Sequence, residues 1–289
     1  MRSKDSRPCP KWEKIAKTLL FTAGFGPKRF PAPTKCNIFA AMAKFAHDQI
    51  VPNKESELEK KAQVAEMFNK IAFKYDFLNH FLSAGIDKGW RKKAINELRA
   101  LNPKIMLDVA TGTGDVAIMT HKMLAPEKII GIDISEGMLD FGRKKLVDLQ
   151  LSGAIELQTG DSETIHFENN HFDAITVAFG VRNFQNLEKG LSEMFRVLKP
   201  NGKLVVLEFS KPSFAPVLGF YQFYMNVIGP SISKLFGSDK AAYQYLNDSV
   251  QAFPEGQTFL NLMNEAGFTQ TYLKKLSLGL CTIYCGSKV

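Results

Sequence analysis

The residues of this chain best suited to chemistry are two glycines set among carboxylates. Between Ile105 and Asp115 the sequence reads Ile-Met-Leu-Asp-Val-Ala-Thr-Gly-Thr-Gly-Asp, which brings Asp108, Gly112, Thr113, Gly114 and Asp115 close together in the chain. Gly112 and Gly114 permit a tight turn with the backbone open to a ligand. The apolar run Ile105 to Val109 predicts a buried parallel strand. Val116 to Leu124 has helical spacing, so the loop aims helix N-terminal N–H groups at whatever lies above it. This is the pattern of a nucleotide-type site.

Charge discriminates among the nucleotides. Gly112, Gly114 and Ala117 fit the dinucleotide fingerprint, and Asp133 lies near the distance expected of a ribose-binding acid. A pyrophosphate on this helix end, however, would face Asp115 with Asp108 close by, an unfavourable pairing. A ligand with an ammonium and a sulfonium gains from the same two carboxylates, and S-adenosylmethionine is such a ligand. A bare glycine turn is the plainer reading, but Asp115 suits it only as a helix cap. The methyl donor is preferred to a nicotinamide cofactor.

The elements that must hold these residues alternate along the chain. A second strand over Lys128–Ile134 brings Asp133 and Ile134 to its carboxyl end, where a carboxylate suits two ribose hydroxyls. A third strand, Ile155–Thr159, leads into Gly160-Asp161-Ser162, whose side chains suit an adenine edge or else an Asx turn. Phe172–Phe179 is a fourth strand, followed by Gly180-Val181-Arg182-Asn183. An amphipathic helix over Leu187–Leu198 is stopped by Pro200-Asn201-Gly202, and Lys203–Phe209 is the fifth strand with Glu208 near its end. Strict alternation then breaks at an apolar and aromatic insertion, Ser213–Phe236. Phe259–Ala266 is a last helix stopped by Gly267. Thr271–Ser277 and Cys281–Gly286 form a closing antiparallel hairpin.

Upstream, Val64, Met67, Phe68 and Ile71 recur at helical spacing. Aromatic-rich helices in this position commonly cap the ligand crevice of an open sheet, although simple core packing accounts for most of Phe68, Phe73, Phe77 and Phe81. Tyr75 and Asn79 differ, because a buried polar group needs a partner. Residues 43–60 are polar, a tail or a loosely docked lid. Residues 1–41 carry nine Lys and Arg against Asp5 and Glu13, a net +7 that leaves +1 of the chain's +8 for the other 248 residues. That leader reads as a targeting peptide or, preferably, as sequence upstream of a true start at Met42. The domains expected are thus a leader over 1–41, a polar tail over 42–60 and one domain over 61–289. The folded part has no basic nucleic-acid face. The five histidines are scattered without ligand spacing, so no metal is expected. Cys9, Cys36, Cys281 and Cys285 lack a disulfide-framework spacing and read as reduced thiols of a cytosolic protein. No apolar run reaches the length of a membrane span.

With these residues in view, the sequence resembles the class I S-adenosylmethionine-dependent methyltransferases. Within them it resembles the family that C-methylates the rings of menaquinone and ubiquinone precursors. Three stretches carry the resemblance: Tyr75-Asp76 with Asn79, Leu82-Ser83 and Trp90; Phe179-Gly180-Val181-Arg182-Asn183; and Arg196-Val-Leu-Lys-Pro200 through Glu208-Phe-Ser-Lys-Pro212. Leu78, Asp87, Ala178 and Asn201 depart from the family's pattern, and Asp87 puts a catalytic role at its own position in doubt. The resemblance implies an α/β Rossmann-like fold. Its seven-stranded, mostly parallel sheet has helices on both faces, only the last strand antiparallel, and an N-terminal helical cap. It puts donor contacts on Thr113, Asp133, Asp161 and Ser162, in agreement with the reading above.

The acceptor so implied is a polyprenylated quinol, demethylmenaquinol ahead of the equivalent benzoquinol. Another lipophilic acceptor, such as a sterol or fatty acyl chain, is the runner-up, and a dinucleotide-dependent oxidoreductase comes third. A ring carbon becomes nucleophilic on loss of a phenolic proton, so Arg182 is the candidate for steadying the phenolate, with a salt bridge to Glu208 as its structural alternative. Tyr75 is a second candidate at the ring, and Tyr221, Tyr243 and Tyr245 are weaker ones. The insertion at 213–236 is expected in part to complete the core and in part to take the prenyl tail. The chain would then be cytoplasmic or peripheral at the inner face of the membrane, and a homodimer is compatible with the resemblance.

Overall fold

The structure, a computed structural model, describes residues 46–82, 85–212 and 240–289, without the side chains of 46, 74–82, 240, 241 and 243. The leader at 1–41, the insertion at 213–236 with Tyr221, and the side chains of Tyr75, Asn79 and Tyr243 lie outside the described residues.

Two helices come first, α1 (Lys60–Leu82) and α2 (Ile86–Asn96). The alternating part runs β1 (Ile105–Val109), α3 (Asp115–Leu124), β2 (Lys128–Asp133), α4 (Glu136–Asp148), β3 (Ile155–Thr159), β4 (Phe172–Ala178), α5 (Leu187–Val197) and β5 (Leu198–Phe209). Helices α6 (Lys240–Ala252) and α7 (Gln257–Glu265) precede β6 (Thr269–Leu276) and β7 (Cys281–Ser287). The seven strands lie in the order β3-β2-β1-β4-β5-β7-β6. Every pairing is parallel except those of β7, which is antiparallel to both β5 and β6. This is the sheet that the resemblance implies.

Strands β1, β4 and β7 are buried along most of their length because both faces of the sheet are covered there. Successive side chains point to opposite faces, and the buried residues divide accordingly. Leu107 and Val109 of β1, Ile175 and Val177 of β4 and Tyr284 of β7 pack with Leu191 and Met194 of α5 and with Phe259 and Met263 of α7. Met106, Ala174, Val205, Cys281, Ile283 and Cys285 pack on the other face with Trp90, Ile118 and Leu139. Both thiols are fully buried and unpaired. Burial pushes the Cys285 thiol up to about 11 and lifts that of Cys281 well above its usual range.

Two stretches differ from the sequence reading. Leu198 to Gly202 joins β5, where a helix stop and a turn were expected. Between Phe172↔Leu198 and Ala174↔Lys203 the register shifts, so the extra residues bulge out of the ladder. Asn201 takes a left-handed φ of 63°, its N–H donates to the Lys288 carbonyl at 2.6 Å, and the Lys288 N–H donates to the Gly202 carbonyl at 3.1 Å. The second difference lies ahead of α1. A short helical turn over Ala46–Gln49 buries His47, and Lys60 Nζ donates to the His47 carbonyl at 2.7 Å. Gln63 accepts from the Asn53 N–H at 2.9 Å and donates to the Leu58 carbonyl at 2.7 Å. The polar stretch is thus tied back on the helix it precedes.

Candidate functional site

Strand order reverses between β1 and β4, and an open parallel sheet binds ligands in the crevice at such a point. The loop after β1 and the loop after β4 meet there closely. A Cβ on Gly180 would stand 2.5 Å from the Cβ of Ala110, so only glycine allows the approach. Gly112 and Gly114 both take left-handed φ values, 57° and 79°.

Asp108 lies beneath the loop, almost fully buried, and accepts hydroxyl protons from Thr111 and Thr176 at 2.6 Å each. It ties the turn to β4, and burial lifts its carboxyl to about 6. Asp133, at the end of β2, accepts from the backbone N–H of Gly112 at 2.8 Å and of Ser135 at 2.9 Å. Burial raises its carboxyl against the pull of those N–H groups.

A cleft of about 640 Å³, open mouth included, is lined by five of the residues named from the sequence: Gly112, Asp133, Ile134, Asp161 and Ser162. A second, of about 380 Å³, is lined by Asp108, Gly112, Thr113 and Asp115. Ala110, Gly112, Ala178 and Phe179 line both, so the two are neighbours. Gly114 lines neither and serves the turn.

The surroundings of Asp115 change the charge argument. Its carboxylate is paired with Arg91 Nη1 at 2.8 Å and Lys145 Nζ at 2.7 Å, and Lys145 also donates to Thr113 Oγ1 at 2.9 Å. Burial opposes ionisation of Asp115, but the two cations outweigh it and hold the carboxyl below its ordinary range. The sequence reading left Asp115 for a cationic ligand to balance. The protein supplies that balance itself, from α2 and α4, so Asp115 alone does not exclude an anionic ligand.

Arg182 takes the structural alternative. It is buried, Nη1 donates to Glu208 Oε1 at 2.7 Å and to the Phe179 carbonyl at 2.5 Å, and the guanidinium lies over the Phe209 ring at 5.4 Å. It lines neither cleft. Asn183 beside it accepts from the Tyr245 hydroxyl at 3.1 Å.

The helical cap expected ahead of the first strand is present, but the sequence reading did not name Lys61, Asn69 or Arg91 among the site residues. Lys61, Val64 and Phe68 line the larger cleft; their spacing puts them on one helical face, the signal that was available. Lys61 Nζ lies 2.5 Å from Asp161 Oδ2 and 3.1 Å from Glu163 Oε2. Asn69 accepts from the Ser135 hydroxyl and the Gly137 N–H, each at 2.8 Å. Arg91 lines the smaller cleft, and its i,i+4 partner Asp87 was legible as a helical charge pair.

The two adjoining clefts offer the chemistry that the parts of S-adenosylmethionine would need. Carboxylates at Asp133 and Asp161 can accept from hydroxyl or amino groups of a ligand, while Asp108 and Arg91 put charges of both signs, and Thr113 a hydroxyl, on the wall of the smaller cleft. A model of the ubiE/COQ5 methyltransferase family matches residues 56–288. A demethylmenaquinone methyltransferase of Bacteroides fragilis is 47% identical over 230 residues, 80% of this chain and 94% of the relative. A ubiquinone/menaquinone biosynthesis C-methyltransferase UbiE of Geobacter sulfurreducens is 43% identical over 231 residues, 80% of this chain and 90% of the relative. Among solved structures, a SAM-dependent methyltransferase of Thermotoga maritima, a possible histamine N-methyltransferase, superposes with a TM-score of 0.56 at 19% identity, covering 78% of this chain and 99% of its own.

Proposed function

Because the chain belongs to the ubiE/COQ5 methyltransferase family, we propose that it methylates a ring carbon of a polyprenylated hydroquinone, with demethylmenaquinol as acceptor. The enzyme is a methyltransferase and S-adenosylmethionine is its donor. The observation that carries the reading is the junction of the two clefts at Ala110, Gly112, Ala178 and Phe179. With the nucleoside in one cleft and the amino acid in the other, the atom joining them stands over the Phe179-Gly180 loop.

S-adenosylmethionine supplies an electrophilic methyl group on a sulfonium. The chain's own residues bind, align and shield. Asp133 holds the ribose, and Asp161, fixed by Lys61, faces the base. Phe68 and Val64 of α1 cover the cleft and exclude water. Beyond the junction its wall continues through Asn183, Phe184 and Gln185, a surface for the acceptor ring. Arg182, paired with Glu208 and donating to the Phe179 carbonyl, is a positioning residue for this loop. Aligning donor and acceptor in line is the larger part of such catalysis. Among the described residues no helix is long and apolar enough to cross a membrane. A second reading, benzoquinol methylation, is favoured by the name of the Geobacter relative, which spans both quinones.

The test is direct. The purified protein is given S-adenosylmethionine with chemically reduced demethylmenaquinone or demethylated ubiquinone precursor. Mass spectrometry of the extracted quinones should show one added methyl on the naphthoquinone. Transfer to the benzoquinone alone would replace the first reading by the second, and transfer to neither would reject both.

A further inference from the structure

Three polar links and the chain itself close a ring at the rim of the larger cleft, and the ring begins and ends at Lys61. Lys61 Nζ is paired with Glu163 Oε2 at 3.1 Å. Glu163 Oε1 accepts from the Asn186 N–H at 2.8 Å. Gln185, the residue before, accepts from the Lys61 N–H at 3.2 Å and donates to Glu59 Oε2 at 3.2 Å. The start of α1, the turn after β3 and the loop after β4 are thereby tied together, and Lys61, Glu163 and Gln185 all line the cleft. Glu163 is 5% exposed, and each of its oxygens has a different partner, as a buried charge requires. The plainer role for it is a cap on α5, whose first N–H groups have no partner within the helix. The Asn186 side chain already caps that end, accepting from the Lys189 N–H at 2.9 Å. A cap alone would not need a carboxylate that also reaches across to α1.

What Glu163 holds is the wall of Asn183, Phe184 and Gln185, which leads directly into Asn186. Phe184 is pressed on the first turn of α5, where a Cβ on Gly190 would stand 2.7 Å from its ring. The place where α5 begins therefore decides where the wall stands, and the bond from Asn186 to Glu163 fixes that place. The turn after β3 has anchors of its own. Asp161 keeps Lys61 at 2.5 Å and the Glu163 N–H at 2.9 Å, neither of which needs the Glu163 side chain. We propose that Glu163 is a positioning residue for the acceptor: it sets the loop after β4 against the cap, by its reach to Asn186 and not by its charge. This rests on the reading of Asn183 to Gln185 as the surface for the acceptor ring.

Two variants of the full chain separate reach from charge. Glu163→Asp keeps the charge but is one methylene short, and Glu163→Gln keeps the length and an oxygen for the Asn186 N–H. Methyl transfer is followed at saturating S-adenosylmethionine with whichever reduced quinone the wild type accepts. Donor affinity is read by calorimetry with S-adenosylhomocysteine, which carries the amino-acid end, and 5′-methylthioadenosine, which lacks it. In Glu163→Asp, kcat/KM for the acceptor should fall about tenfold, the worth of one hydrogen bond to a charged group. In Glu163→Gln it should fall only about threefold, since a neutral acceptor makes a weaker bond. Both variants should bind the two donor analogues within about twofold of wild type, less than the worth of one hydrogen bond. A larger loss in Glu163→Gln than in Glu163→Asp would mean that charge and not reach matters, and overturns the proposal. So does unchanged acceptor kinetics in both variants, or donor affinity that falls by the same factor as kcat/KM. If the wild type methylates neither the naphthoquinol nor the benzoquinol, the acceptor reading fails and takes the proposal with it, a result seen without any variant.

Discussion

The two halves of the cleft are built on different plans. The half proposed for the nucleoside is made where strands end: Asp133 closes β2 and Asp161 follows β3, each braced by the backbone N–H two residues on, and Asp133 also by that of Gly112, 21 residues back. The amino-acid half is made of charges sent in by helices. Arg91 from α2 and Lys145 from α4 converge on Asp115, 24 and 30 residues away. The first plan fixes shape through local turns, and its residues can be recognised one at a time. The second fixes charge balance, which no single residue reveals.

That contrast can be broken most severely at the joint the halves share. Glu208→Ala leaves Arg182 buried without its carboxylate partner, which should cost about 3–5 kcal/mol of stability in chemical denaturation. Because Arg182 also holds the Phe179 carbonyl, S-adenosylhomocysteine and methylthioadenosine should weaken together. Unchanged stability would mean that the halves do not share this support.

A pH titration sharpens the contrast next. The Asp108 carboxyl, lifted by burial to about 6, is largely neutral at pH 5 and ionised at pH 7.5. An ammonium in the amino-acid half gains only from the ionised form. Affinity for S-adenosylhomocysteine should therefore rise by up to about tenfold per unit of pH between 5 and 6 and level off above. Asp108→Asn should reduce that rise. Stability of the free protein moves the other way for this group. Its folded value lies above the ordinary 3.8, so the native state holds the proton longer and the group's contribution falls as pH rises from about 4 to 6. Identical pH profiles of melting temperature in wild type and Asp108→Asn would refute this.

The mildest change is Lys61→Met in the nucleoside half. Lys61 is partly exposed, so its pairing with Asp161 is screened. Both ligands should lose about two- to fivefold in affinity, by the same factor, the range of a half-exposed ion pair. A loss confined to S-adenosylhomocysteine would show that Lys61 serves the other half.

The same contrast explains what could be seen in the sequence. The strand-and-helix alternation, the loop at Gly112 to Asp115 and the strand-end acids were legible because they are local patterns. Arg182 was equally compatible with two roles until Glu208 arrived 26 residues later. Lys61 finds Asp161 from 100 residues away, and no periodicity announces that meeting. At Pro200-Asn201-Gly202 the turn residues suggested a break, but the other end of the chain pairs with that stretch and keeps it in the sheet. Tertiary partners overrode local preference at each of these places.

The thiols of β7 have a use outside the reaction. Cys281 and Cys285 share one face of a strand flanked on both sides, with no exposed surface and with burial disfavouring the reactive thiolate. An alkylating reagent can reach them only when the layer around Trp90 lifts from this face or the sheet itself opens, so their labelling serves as a clock for opening of the core. Followed by mass spectrometry of the peptide containing both, the rate should slow on adding S-adenosylhomocysteine if ligand binding in the crevice steadies the strands whose ends form it. The fold thus carries its own stopwatch, read at a place no ligand touches.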